Sequence, residues 1–313
     1  MKLYNGLQTI PQPLSRSTVA IGSFDGVHLG HQALIQKAVE DADRNGRDTV
    51  VFTFDRHPAE LLRPENAPEL ITTSAQRIAL IQEMGVDIMV IAAFDMELAN
   101  TDRDTFLSKI LKGLLGAEAI VEGNDFCFGK NRAGDVNYLR SMESGYNFEL
   151  HALDPVMVEG APASSSRIRG LIRTAQFKEA EMVLGHGYFL EGVVVHGQHL
   201  GRVLGFPTIN LELFERQVVP KDGIYAVLVT LQDGRIVQGA CSIGNRPTVE
   251  SAGRSVETNL LDFNEDLYGQ KVSIRFISFL RSEIKFNNLD DLVDQMKIDV
   301  KNVREVLQNR LIN

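Results

Sequence analysis

AIGSFDGVHLGHQ, from Ala20 to Gln32, is a short apolar run that turns through glycines and opens on an amphipathic stretch reaching Asp43. The pattern predicts a strand, a tight turn and a helix start, which is the first half of a βα unit. Unpaired N–H groups and the positive end of the dipole make such a start attractive to anions. His28 and His31 bracket Leu29 and Gly30 there, and Gly30 lets the backbone come close to a ligand. Two imidazoles at a helix mouth suit a site where charge builds up on a phosphoryl group. The same string also reads as a helix cap followed by a satisfied polar residue, and taken alone it leaves both readings open.

Outward from this unit, strand-like and helix-like patches alternate through the first half of the chain. DTVVFTF (Asp48–Phe54), VDIMVIAAF (Val86–Phe94) and AEAIVEG (Ala117–Gly123) read as buried strands, with helical periods over Ser74–Met84 and Asp102–Leu115. Near-continuous apolar strands separated by amphipathic helices predict an α/β fold, a doubly wound parallel sheet covered on both faces. Ligands of such sheets sit beyond the carboxyl ends of the strands. HLGH follows the first strand-like patch, DRHP (Asp55–Pro58) the second and GNDFCFGK (Gly123–Lys130) a later one, so the three should meet at one cleft.

Ser164–Leu184 is again helical in pattern, and then the period changes. Tyr188–Gly197, Gly223–Leu231, Arg235–Gly244, Ser255–Phe263 and Lys271–Leu280 are short β-rich runs split by Gly, Asp and Asn turns, the mark of an antiparallel barrel or sandwich. Leu289–Leu311 carries apolar residues at helical spacing and should pack on it as one long helix. A boundary near Gly185–Gly187 gives two expected domains, 1–185 and 186–313, in line with a length of 313 residues.

Composition narrows the partners. The chain has a net charge of −9 and no dense basic tract, which argues against nucleic acid. It has no run of about 18 uncharged apolar residues, which argues against a membrane span. Cys127 and Cys241 lie far apart, and neither belongs to a metal-ligand pair, as expected of a protein of the reducing cytoplasm. A monomer or weak homo-oligomer is expected.

Four further elements carry chemistry. SSSRIR places Ser164, Ser165, Ser166 and Arg169 at a predicted helix start, where they can clamp a pyrophosphate or simply cap the helix. GNDFCFG offers Asp125, with Phe126 and Phe128 flanking Cys127, and the two rings either stack on a planar ring or fill core. In GRVLGFPTIN, Gly201, Gly205 and Pro207 shape a close-approach turn, while Thr208 and Asn210 project oxygens to one side of an extended segment, suitable for Mg²⁺ beside ATP phosphates. A plain turn explains the same Gly and Pro. Glu257, a carboxylate in the apolar strand VETNLLDF, can accept the proton of an attacking hydroxyl.

GSFDGVHLGH, FTFDRHP, GNDFCFG and SSSRIR, in this order, resemble the nucleotidyltransferase domain of the bacterial bifunctional riboflavin kinase/FAD synthetase family. HGQHLGRVLGFPTIN, KDGIYAV, SIGNRPTVE, VETNLLDFNEDLYG and LRSEIKF resemble its riboflavin kinase domain. The resemblance implies transfer of the ATP γ-phosphate to riboflavin at the barrel and of AMP from ATP to FMN at the sheet, giving FAD and pyrophosphate. It implies that His28 and His31 steady the α-phosphate, with Gly22, Phe24, Gly30, Asp125, the serine run and Arg169 around nucleotide and pyrophosphate, and Phe54, Phe126 and Phe128 near the flavin. In the kinase it implies Glu257 as base and Thr208 and Asn210 at Mg²⁺ and nucleotide. Ser166, Asn124, Ile209 and Asn259 depart from the family's usual Thr, Asp, Ala and His, and none removes a reacting group. Two other readings are a kinase whose first half is a scaffold and a flavin-binding regulator without turnover; the intact His28, His31 and Glu257 count against both.

Overall fold

The strand that leads into HLGH is β2 (Ser17–Ile21), and every one of its residues is buried. It lies inside a six-stranded sheet with β1 (Lys2–Asn5), β3 (Asp48–Phe54), β4 (Ile88–Ala92), β5 (Ala117–Gly123) and β8 (Glu149–Leu153), in the order β1-β4-β3-β2-β5-β8. All five pairings are parallel. The computed structural model describes residues 1–197, 206–213, 216–245, 254–286 and 288–311. Alternation along the strands separates two apolar layers. Val19, Ile21, Phe52 and Ile120 face a cluster with Phe106, Leu107 and Leu111, while Ala20, Val51, Met89 and Val121 face Ile35, Ala38 and Ile81. This is the expected doubly wound α/β sheet. Its order reverses between β2 and β5, so the crevice that favours ligands opens where HLGH and GNDFCFG leave the sheet.

Two strands of this sheet escape the sequence pattern. β1 and β8 are its edges, and their polar residues (KLYN, ELHAL) blur the apolar signal. HLGH therefore follows the second strand of the chain and not the first. Short hairpins β6 (Cys127–Phe128) with β7 (Gly134–Asp135) and β9 (Met157–Val158) with β10 (Ala161–Pro162) were likewise not expected. The helix predicted over Asp102–Leu115 is one turn, Arg103–Thr105, capped by Asp102, followed by wider turns over Phe106–Leu114 that bond to the fifth residue back.

The chain forms two compact units: Met1–Pro68 with Ser74–Ser164, and Glu69–Thr73 with Ser165–Asn313. In the second, the predicted helical stretch Ser164–Leu184 is two helices, Ser165–Arg173 and Phe177–Leu184, separated where Ala175 takes a φ of 61°. Six antiparallel strands follow: β11 (Phe189–Val195), β12 (Thr208–Leu213), β13 (Gly223–Thr230), β14 (Ile236–Asn245), β15 (Arg254–Leu260) and β16 (Lys271–Arg281). They close in the order β11-β12-β15-β14-β13-β16. Closure leaves no open sheet edge. Tyr225, Val227, Cys241, Ile243 and Val256 form the buried inner row, and the Cys241 thiol is pushed up to about 12 by burial. The helix Leu289–Leu311 lays Val303 and Leu307 on Ala226, Leu261 and Ile277 of the outer row.

Candidate active sites

At the carboxyl end of β2 the backbone enters conformations that side chains avoid. Phe24 and Val27 have φ of 48° and 40°, with Gly26 at 85° between them. Non-glycine residues there cost about 1–3 kcal/mol each, and such strain gathers at functional sites. Burial of the Phe24 and Val27 side chains, at 0% and 1% exposure, offsets it. The loop delivers His28 to the N-cap of the helix Leu29–Asn45, where its Nδ1 accepts the His31 N–H at 3.4 Å. The His31 ring stacks on that of His28 with centroids 3.6 Å apart and meets Phe24 edge-on. The two imidazoles are thus one assembly.

Burial, then the neighbouring His28 and Arg77, hold the His31 imidazole well below the usual histidine range, so it is neutral at pH 7. Its Nδ1 is buried with no hydrogen-bond partner among the described residues. A Cβ on Gly30 would stand 3.1 Å from the His28 ring and 3.5 Å from the Ala163 carbonyl, so only glycine fits easily. Gly22 lies under the Phe24 ring, which a Cβ would approach to 3.2 Å.

Two residues that the sequence did not single out support this loop. Arg77, 6% exposed, donates Nη1 to the Ser23 carbonyl and Nη2 to the Phe54 carbonyl, both at 2.8 Å, and so ties together the ends of β2 and β3. Glu122, 1% exposed, accepts the Ile21 N–H at 2.9 Å across the seam between β2 and β5. Burial raises its carboxyl well above the ordinary range, and the charge of Asp125 adds to the effect.

Asp125 stands exposed on the turn after β5, and Asn124 donates to Asp154 at 2.6 Å. Phe126 and Phe128 stack at 5.5 Å, but Phe128 is 7% exposed and wedged against Phe106 and Tyr138, so its ring belongs to the core. Phe54 is half-buried, edge-on to Phe52 and Phe94. His57 of DRHP caps the short helix Pro58–Leu62 through a reciprocal bond with Glu60. Ser164 ends the first unit, whereas Ser165, Ser166 and Arg169 open the second. Arg169 is buried and donates Nε to the Glu69 carbonyl at 2.6 Å, so it is no solvated surface arginine.

In the barrel, pairing brings the kinase motifs together. β12 pairs with β15 so that Thr208 faces Asn259 and Asn210 faces Glu257, and β14 places Ser242 on the other side of Glu257. Directly opposed residues share a face with Cβ atoms about 5 Å apart. Asn210, Glu257 and Ser242 therefore form one row, and Thr208 and Asn259 the next. A cavity of about 480 Å³ is lined by Thr208, Ser242, Glu257 and Asn259, with Phe206 and Met296 among its apolar walls. A second, of about 320 Å³, is lined by Pro207, Thr208, Ile209, Phe263 and Tyr268. Thr208 borders both. Ile209 alternates to the other face of β12 from Thr208 and Asn210, which keeps its bulk out of the row with Glu257. Arg281 and Asp299, a bidentate pair in the wall of the larger cavity, carry no sequence signal because they are distant in the chain. Gly201 and Gly205 lie outside the described residues.

Among the described residues no helix is long and apolar enough to cross a membrane. The FAD synthetase family model matches residues 10–167, and the riboflavin kinase family model matches residues 184–307. The bifunctional riboflavin kinase/FMN adenylyltransferase of Haemophilus influenzae is 34% identical over 97% of this chain and 98% of its own. The Pseudomonas fluorescens protein of that name is 37% identical, covering 97% of both chains. The Bacillus subtilis one is 33% identical over 93% of this chain and 92% of its own. A solved structure from Streptococcus pneumoniae, described as a macrolide-efflux protein, superposes with a TM-score of 0.88 at 32% identity, covering 97% of this chain and 99% of that one. Two matched halves in a single order, with relatives that span nearly the whole length, place the chain in the bifunctional riboflavin kinase/FMN adenylyltransferase family.

Proposed function

We propose that the chain makes FAD from riboflavin in two ATP-dependent steps at separate sites, residues 1–185 transferring AMP and residues 186–313 transferring phosphate. The observation that supports this most is the presence of both reacting sets: the stacked His28–His31 pair at a helix mouth, and Glu257 in a cavity wall beside Thr208 and Asn210.

In the kinase step the barrel cavity lined by Glu257 takes riboflavin. Its apolar wall, with Ile224, Phe286, Leu292 and Val300, suits a flat ring system, and its polar end holds Glu257. Glu257 accepts the proton of the ribityl 5′-hydroxyl as that oxygen attacks the γ-phosphorus, and ADP leaves. ATP occupies the second cavity, and the two substrates meet at Thr208. Thr208 and Asn210 are the residues to hold Mg²⁺. Their oxygens share one face of β12, and a Cβ on Gly197 would stand 2.2 Å from the Asn210 amide, so this glycine leaves the room that the Asn210 side chain occupies. When bound, Mg²⁺ neutralises phosphate charge.

In the adenylyl transfer a phosphate oxygen of FMN attacks the α-phosphorus of ATP, and pyrophosphate leaves. The attacking phosphate is already ionised at pH 7, so no general base is required. The first-turn N–H groups and His28 stabilise the charge on the α-phosphoryl group, and His31 supports His28 from behind through its N–H and its ring. Ser164, Ser165, Ser166 and Arg169 receive the pyrophosphate, while Asp125 orients the nucleotide. Phe126 and Phe54 are the half-buried rings offered to the flavin. Two free thiols, Cys127 and Cys241, suit a cytoplasmic enzyme, and we assign it no nucleic acid or membrane partner and a monomeric or weakly associated state.

The test supplies riboflavin and MgATP and resolves flavins by chromatography over time. FMN appears first and FAD follows. Arrest at FMN would leave only the kinase, and unchanged riboflavin would overturn the reading entirely.

A further inference from the structure

β12 begins at Thr208, and the first rung of its pairing with β15 joins Thr208 to Asn259. Pro207 precedes that rung. It has no N–H to give, and a proline carbonyl just outside a ladder needs a donor from elsewhere. The Asn259 amide supplies it: Nδ2 donates to the Pro207 carbonyl at 2.9 Å, and the side chain is 9% exposed. A side chain on β15 thus extends the ladder by one residue and fixes the turn Phe206–Pro207 to the strand that carries Glu257. Because the peptide bond from Pro207 leads directly into Thr208, the same bond sets where Thr208 sits between the two cavities.

We infer that Asn259 is a positioning residue of the kinase, acting through the Pro207 carbonyl to hold Thr208 in register with Glu257. The inference rests on the kinase reading above. Imidazole and carboxamide can each give one N–H to a carbonyl, so a histidine at this position could serve the same role. The function demands a donor of moderate length on that face and not one particular residue.

The consequence is selective. Loss of the donor loosens Thr208, and with it the nucleotide and its cation, while the flavin cavity keeps its other walls. In Asn259→Ala the KM for MgATP and the Mg²⁺ concentration for half-maximal phosphorylation should each rise about fivefold, the size of one neutral hydrogen bond. Riboflavin affinity, read by quenching of flavin fluorescence without nucleotide, should fall by clearly less than the MgATP value rises, because Asn259 is one of many residues in the flavin cavity wall, and retained binding also reports a folded barrel. Asn259→His should return the MgATP and Mg²⁺ values to those of the parent. Unchanged MgATP and Mg²⁺ dependence in the alanine variant would overturn the inference. So would a loss of riboflavin affinity as large as the loss for MgATP, which would make Asn259 a flavin contact. A parent protein that bound riboflavin but formed no FMN would instead strike at the kinase reading.

Discussion

In the proposed assignment the α-phosphate of the adenylyl transfer is met at a helix mouth, largely by backbone, and the phosphate of the kinase step by side chains on paired strands. At the carboxyl end of β2 a helix mouth presents its first N–H groups beyond a loop with Phe24 and Val27 in the left-handed region, framed by two stacked imidazoles. In the barrel the elements are regular strands, and pairing register alone lines up Asn210, Glu257 and Ser242. The chemistry explains the contrast. An ionised phosphate nucleophile needs charge stabilisation and no base, which oriented dipoles supply. A sugar hydroxyl must lose a proton, which calls for a carboxylate at a fixed place.

The largest effect expected from this contrast is at the carboxylate. Glu257→Gln should slow riboflavin phosphorylation by about 10²–10⁴-fold and leave conversion of supplied FMN to FAD at the parental rate. A loss under about fivefold would remove Glu257 from the role of base. His28→Ala should cut FAD formation by about 10²–10³-fold while riboflavin is still converted to FMN. An equal loss in both steps from a folded protein would mean that the sites are not separate.

Smaller effects probe the supports of the strained loop. Arg77→Met removes two charge-assisted bonds to Ser23 and Phe54 and should cost about 2–3 kcal/mol, lowering the first thermal transition by about 5–10 °C. An unshifted melt would show that the carbonyls find other donors. The smallest effect is at Glu122. Its folded-state affinity for a proton is raised, so above the ordinary carboxylate range the unfolded chain ionises while the folded one keeps its proton, and stability falls as pH rises. Glu122→Gln can still accept the Ile21 N–H but does not titrate. Its melting temperature relative to the parent should therefore climb as pH rises above the ordinary carboxylate range. A difference that is flat with pH would place an ionised carboxylate in the seam.

Much of this was legible in the sequence, for physical reasons that differ along the chain. HLGH declares itself because a strand, a glycine turn and a helix start are all local patterns, and Leu289–Leu311 is found with its observed ends because its apolar spacing is unbroken. Five of the six barrel strands are bounded by Gly, Asp and Asn, which fix their ends to within a few residues, whereas β12 was not among the expected strands. Edge strands β1 and β8 are hidden because partial exposure dilutes their apolar pattern. The break at Ala175 is hidden because neither Thr174 nor Gln176 forbids a helix; only the positive φ does. Arg77, Glu122 and Asn259 depend on partners tens of residues away, and no local pattern reports a hydrogen bond across that distance.

Separate cleavage of ATP at its first and last phosphorus is tested most directly by phosphorus NMR of the nucleotide products. Glu257→Gln given FMN and MgATP should release pyrophosphate and no ADP, and His28→Ala given riboflavin and MgATP should release ADP and no pyrophosphate. Both products from either variant, or neither from a variant that still binds its flavin, would contradict the account.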